Sequence, residues 1–211
     1  MLLLALPFAF YATGKGLSFS AVEERLTSRF FEAQAVVASA LIYLHMVSGG
    51  VITFLAPVQM SGVIRTRLPR LHHLIGYLVA GLAVLTAVAG LVYILQQGTI
   101  GGPVMSAGFA LYGAMMLVVA VQTVRTARQR HVSHSLWAGR LILLALASWF
   151  YRVHYGLWEL ATGGLGSRSD FSGLFDLVQV FAFYLPYLIL HHIWWHAKQQ
   201  RAQAPSTFKM R

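Results

Sequence analysis

The chain has no cysteine, six acidic residues in 211, and a charged fraction of only 10%. Each shortage excludes something. Without cysteine there is no disulfide, no iron–sulfur cluster and no thiolate chemistry. A soluble domain normally carries about 25% charged residues, so the low fraction argues against a fold surrounded by water. The sequence contains no Gly-rich phosphate loop, no Ser-His-Asp arrangement and no zinc-protease motif. No basic nucleic-acid-binding motif is visible. The net charge of +10 is therefore read as membrane topology, with attraction for anionic lipid heads, and not as a sign of DNA or RNA binding.

What is present is apolar. Hydrophobic residues make up 57% of the chain and the mean hydropathy is +0.64. A helix needs about 20 mostly apolar residues to cross the bilayer core. Five stretches have that length: 33–59, 71–96, 103–124, 135–160 and 174–197. A sixth, Leu2 to Ala12, is apolar but short, and reads as a short first span or the second half of a longer one. It lacks the basic start and cleavage site of a signal peptide. Arg65, Arg67 and Arg70, then Arg125, Arg128 and Arg130, then Lys198 and Arg201 fall between or after spans on one side. Glu23, Glu24, Glu32, Glu159, Asp170 and Asp176 all fall on the other. Positive loops stay cytoplasmic. The expected fold is all-α: an integral membrane bundle of about six transmembrane helices, both termini inside. Residues 1–200 form one helical domain and 201–211 a disordered cytoplasmic tail.

Between the first two spans, Phe19, Val22, Leu26 and Phe30 recur at helical spacing. A short helix lying on the membrane surface and an irregular outer loop are both open. Gly76, Gly81, Gly90 and Gly139 read as helix-packing residues. The TGGLGSRSD loop follows a membrane helix rather than a strand, so it is not a nucleotide fingerprint. No internal repeat and no broken-helix pair is evident.

Histidine carries the remaining information. His72, His73, His131, His134, His191, His192 and His196 sit where apolar segments meet arginines. Interfacial anchoring, structural hydrogen bonding and ligation of haem or metal all account for that placement. His72 opens one span and His134 another, at matching depth. Two axial ligands to one flat macrocycle must come from opposite sides, which this pair can provide. His192 and His196 share a face at i, i+4. With no carboxylate on that side, a dedicated metal site is not expected. His45 lies mid-span, where a charge costs about 2.5–3.5 kcal/mol, so it is neutral or paired. Arg140 lies roughly 9 Å into its span. Arg152 lies nearer the outer end, with His154 and Glu159 close by in sequence; a pairing with Glu159 or Asp176 is open, as is an anion clamp.

The stretches PVQMSGVIRTRLPRLHHLIGY and HSLWAGRLILLALASWFYR resemble a bacterial multi-pass membrane family known as domain of unknown function 2306. The matching residues are Pro57, Gln59, Arg65, Arg67, Pro69, His72 and Gly76, then His134, Trp137, Arg140 and Arg152. The resemblance implies a bacterial cytoplasmic membrane protein and brings no established activity. The layout is also similar to cytochrome b561-type electron carriers, but span 103–124 lacks histidine, so at most one haem site is expected. Three functions follow. The first is electron transfer through one b-type haem on His72 and His134, with Arg70 or Arg140 at its propionates, serving a quinone or another redox partner. The second is a cofactor-free structural, lipid- or quinone-binding protein, in which Gln59, Arg65, His72, His134 and Arg140 form a polar network locking the bundle. The third is a proton-coupled transporter using His45, Arg152, His154 and Glu159. The residues do not name an enzymatic reaction.

Overall fold

The computed structural model describes residues 2–28 and 30–203. Its helices are α1 (Leu2–Leu17), α2 (Val22–Leu26), α3 (Val36–Gln59), α4 (Gly62–Arg67), α5 (Pro69–Gln97), α6 (Gly102–Arg128), α7 (His134–Thr162), α8 (Leu174–Ala182) and α9 (Leu185–Gln203), with a 3-10 turn at Ser18–Ser20. No strand occurs among the described residues. The molecule is a helical membrane bundle. Five segments are long and apolar enough to cross a bilayer: α3, α5, α6, α7, and the stretch Leu174–Arg201 that contains α8 and most of α9.

Local chemistry sets the boundaries. Pro69 opens α5 and Pro103 lies in the first turn of α6, where a missing N–H leaves no partner unsatisfied. Gly163, at φ +63°, ends α7 in the left-handed conformation that a side chain resists. The Ser61 hydroxyl accepts from Ile64 N at 3.4 Å and caps α4. The last span is not one helix. Phe183 and Tyr184 form a turn between α8 and α9. Pro186 explains the break: it has no N–H for the Ala182 carbonyl and its ring crowds that group. Both turn residues are buried, at 0% and 1% exposure.

At the other end of the chain, α1 runs past Ala12 to Leu17. Ala5, Ala9 and Ala12 are buried along one face, so α1 and α3 pack closely. A Cβ at Gly50 would meet the Ala9 carbonyl at 2.8 Å, and one at Gly16 the Tyr43 carbonyl at 2.7 Å. The surface helix is reduced to the five residues of α2, whose Val22 and Leu26 are exposed. α9 continues to Gln203, and residues 204–211 of the expected tail lie outside the described residues.

The main core joins α5, α6, α7 and the α8–α9 corner through Val79, Ala83, Met116, Leu144, Phe183 and Tyr184. Without water, polar side chains must bond within the bundle. Tyr112 Oη donates to the Leu144 carbonyl at 2.6 Å, Tyr184 Oη to the Gly108 carbonyl at 3.2 Å, and Thr53 to the Ala145 carbonyl at 3.3 Å.

Candidate functional site at the arginine-rich rim

The arginine-bearing ends of the helices share one face of the bundle. The start of α7 meets the end of α6, because the His134 Nδ1–H donates to the Thr123 carbonyl at 3.2 Å. The start of α7 also meets α9, because Arg140 Nη2 donates to His192 Nδ1 at 2.8 Å. α5 opens on the same face, where Gln59 at the end of α3 reaches the His72 carbonyl.

Two clusters result. The first holds Gln59 and His72. Gln59 Nε2 donates to the His72 carbonyl at 2.9 Å. Gly76 makes that reach possible, since a Cβ there would fall 2.5 Å from Gln59 Nε2. Gln59 Oε1 and His72 Nδ1 are buried without a hydrogen-bond partner. Buried polar atoms are nearly always paired, so two orphans at one place call for an explanation such as a ligand or water. His134 spends Nδ1 on a carbonyl and keeps Nε2 open, the arrangement that orients a metal-ligating histidine. His72 is half-buried, whereas Arg65, Arg70 and His73 are exposed beside it.

The second cluster holds Trp137, Arg140, His191, His192 and His196. The Arg140 guanidinium lies 4.8 Å from the Trp137 ring centroid. The His192 and His196 rings stand edge to face at 4.4 Å. His191 Nδ1 is a third buried orphan, and Gly139 gives its ring room: a Cβ there would fall 2.5 Å from His191 Nε2. Gln59 and His72 thus stand in one cluster and Arg140 in the other, with no hydrogen bond crossing between them among the described residues, while His134 bonds to α6.

Deeper residues have other partners. His45 Nδ1–H donates to the Thr86 carbonyl at 2.8 Å, beside a Thr86–Ser48 hydroxyl bond of 2.6 Å. Both ring nitrogens of His154 are engaged, with Nδ1 accepting from Gln179 Nε2 at 2.8 Å and Nε2 2.6 Å from Tyr187 Oη. Arg152 donates to the Ser148 carbonyl at 2.9 Å, and its guanidinium lies 4.4 Å from the Phe8 ring centroid. No ion pair joins Arg152 to Glu159 or Asp176; among the described residues the one ion pair is Arg168–Asp170, at 3.8 Å. That loop acid accepts from the Ser172 hydroxyl and N–H, which holds its carboxyl below the ordinary carboxylate range.

Asp176 is the residue the sequence reading undervalued. Fully buried, it accepts from Tyr155 Oη and Ser167 Oγ at 2.7 Å, Arg168 N at 2.9 Å and Gly173 N at 3.0 Å. One signal was available: an acid three residues after Gly173, in the first turn of an apolar helix, is a capping position. The Arg140–His192 contact had no such signal, being 52 residues apart in the chain.

A bundle of apolar helices with one cationic rim defines an integral membrane protein. The family model described as "Predicted membrane protein (DUF2306)" matches residues 42–195 of the 211, and the chain belongs to that family. No curated protein and no solved structure matches it.

Proposed function

We propose that this protein is an electron carrier of the bacterial cytoplasmic membrane that holds one b-type haem through His72 and His134. The arginine-rich face is cytoplasmic, with both termini on that side and six crossings, as the placement of Arg65, Arg67, Arg70, Arg125 and Arg128 supports. The observation that supports the reading is the open nitrogens: two imidazoles open different helices, one with no hydrogen-bond partner at Nε2 and one with a buried, unpartnered Nδ1. Neutral imidazoles suit haem iron. The fit is better at His134, whose Nδ1–H has its carbonyl, than at His72, whose Nδ1 has none. Haem would supply one-electron chemistry. The chain would supply the imidazoles of His72 and His134 to hold it, guanidiniums at Arg65 and Arg70 for the propionates, and the apolar shell that sets the potential. A quinol or another redox protein is the proposed donor. Protein purified from haem-supplemented cells is expected to absorb in the Soret region, and His72→Ala and His134→Ala to lose that band while exposed His131→Ala keeps it. Colourless wild-type protein would end the proposal.

A second reading rests on Gln59, whose amide ties α3 to the His72 carbonyl of α5 over Gly76. The cluster is then a cofactor-free lock. In that case His72→Gln, which keeps a hydrogen-bonding side chain, preserves the folded yield. A haem ligand would not survive the same change.

A further inference from the structure

The Arg140–His192 pair stands at one end of an apolar groove of about 500 Å³ between α6, α7 and α9, lined by Val118, Val119, Trp137, Leu188 and Ile189. We infer that this groove binds one anionic phospholipid, with its phosphate on Arg140 and His192 and an acyl chain along Val118 and Ile189. The inference does not depend on haem.

Arg140 keeps its charge at any pH a membrane meets. It is half-buried and has no carboxylate: the one ion pair among the described residues lies elsewhere, between Arg168 and Asp170, and the acids lie on the opposite side of the chain's topology. Its countercharge therefore comes from outside the chain. The pair offers donors only. The His192 Nδ1 accepts from Arg140, so in the neutral ring Nε2 carries the proton, and the guanidinium retains further N–H groups. A planar fork with a neighbouring N–H suits the several acceptor oxygens of a phosphate. Trp137 fixes the guanidinium by stacking, which lowers the ordering needed on binding. The rest of the groove is apolar, and Val118 and Ile189 are exposed on its flank. These features fit an amphiphile entering sideways from the bilayer better than a water-soluble anion.

The test is native mass spectrometry of the full chain in detergent, titrated in parallel with phosphatidylglycerol and phosphatidylcholine of the same acyl chains. One phosphatidylglycerol is expected to bind with preference over phosphatidylcholine. Arg140→Gln is expected to weaken that binding roughly tenfold, the loss of one charge-assisted contact. Arg128→Gln, on the same face but in a different groove between α5 and α6, is expected to leave it unchanged. Ile189→Trp, which fills the groove and keeps the arginine, is expected to reduce binding as well, and covers the case in which Arg140→Gln does not fold. Equal binding of the two lipids, or undiminished phosphatidylglycerol binding in both Arg140→Gln and Ile189→Trp, would overturn the inference. So would retention of a neutral isoprenoid quinone in place of the lipid. The haem band of Arg140→Gln is a separate reading, because Arg140 is not in the His72 cluster.

Discussion

Gly90 has a use that composition alone does not reveal. It faces His45, and a Cβ at that position would fall 2.8 Å from His45 Nδ1 and 3.1 Å from Cε1. The imidazole is not free to swing away, because Nδ1 donates to the Thr86 carbonyl at 2.8 Å. Gly90→Ala therefore sets two effects against each other. Alanine favours a helix interior over glycine by about 1 kcal/mol. Displacing the ring breaks an interhelical hydrogen bond, which in membrane bundles averages about 0.6 kcal/mol and reaches about 1.7. It also leaves a buried N–H unpaired, at about 1–3 kcal/mol. The loss exceeds the gain, and a net destabilisation of about 1 kcal/mol is expected. In a His45→Ala background the ring is gone and the same substitution is expected to be neutral or to stabilise by up to about 1 kcal/mol. The coupling between the two positions is then about 1–2 kcal/mol, measurable by a double-mutant cycle of reversible unfolding in mixed micelles. An equal effect of Gly90→Ala with and without His45 refutes the argument, and with it the reading of His45 as a neutral, hydrogen-bonded ring.

Other outcomes follow from the same geometry. Gly76→Ala is expected to expel the Gln59 amide from its bond to the His72 carbonyl and lower unfolding stability by about 1–2 kcal/mol; in a Gln59→Ala background the penalty should vanish. Asp176→Asn places an amide N–H among four donors, so a loss of about 2–4 kcal/mol is expected, read as faster proteolysis of the 163–173 loop. Tyr155→Phe removes one of those donors and should have a smaller effect, about 1 kcal/mol.

The long helices were legible because hydropathy and arginine placement act over whole segments. The stretch 71–96 emerged as Pro69–Gln97 and 135–160 as His134–Thr162. What escaped depends on close contacts between distant residues. The first helix runs through Gly14 and Gly16, poor helix formers, because Gly16 lets α1 lie against the Tyr43 carbonyl of α3. Residues 174–197 look like one uninterrupted span by hydropathy, yet the chain turns at Phe183–Tyr184. Pro186 breaks the helix there, and the buried rings of Phe183 and Tyr184 pack the turn into the core. Depth along the helices was legible, so His72, His134 and Arg140 were expected on one rim. Azimuth was not, and Arg140 faces His192 on α9 while His72 sits with Gln59, and His134 bonds the Thr123 carbonyl of α6.

Titration of purified protein with haemin, followed in the Soret region, tests the central claim most directly. A saturable change at one haem per chain in the wild type, absent in His134→Ala and present in His131→Ala, is the predicted result. A change that never saturates, or one that is identical in His134→Ala, would contradict it.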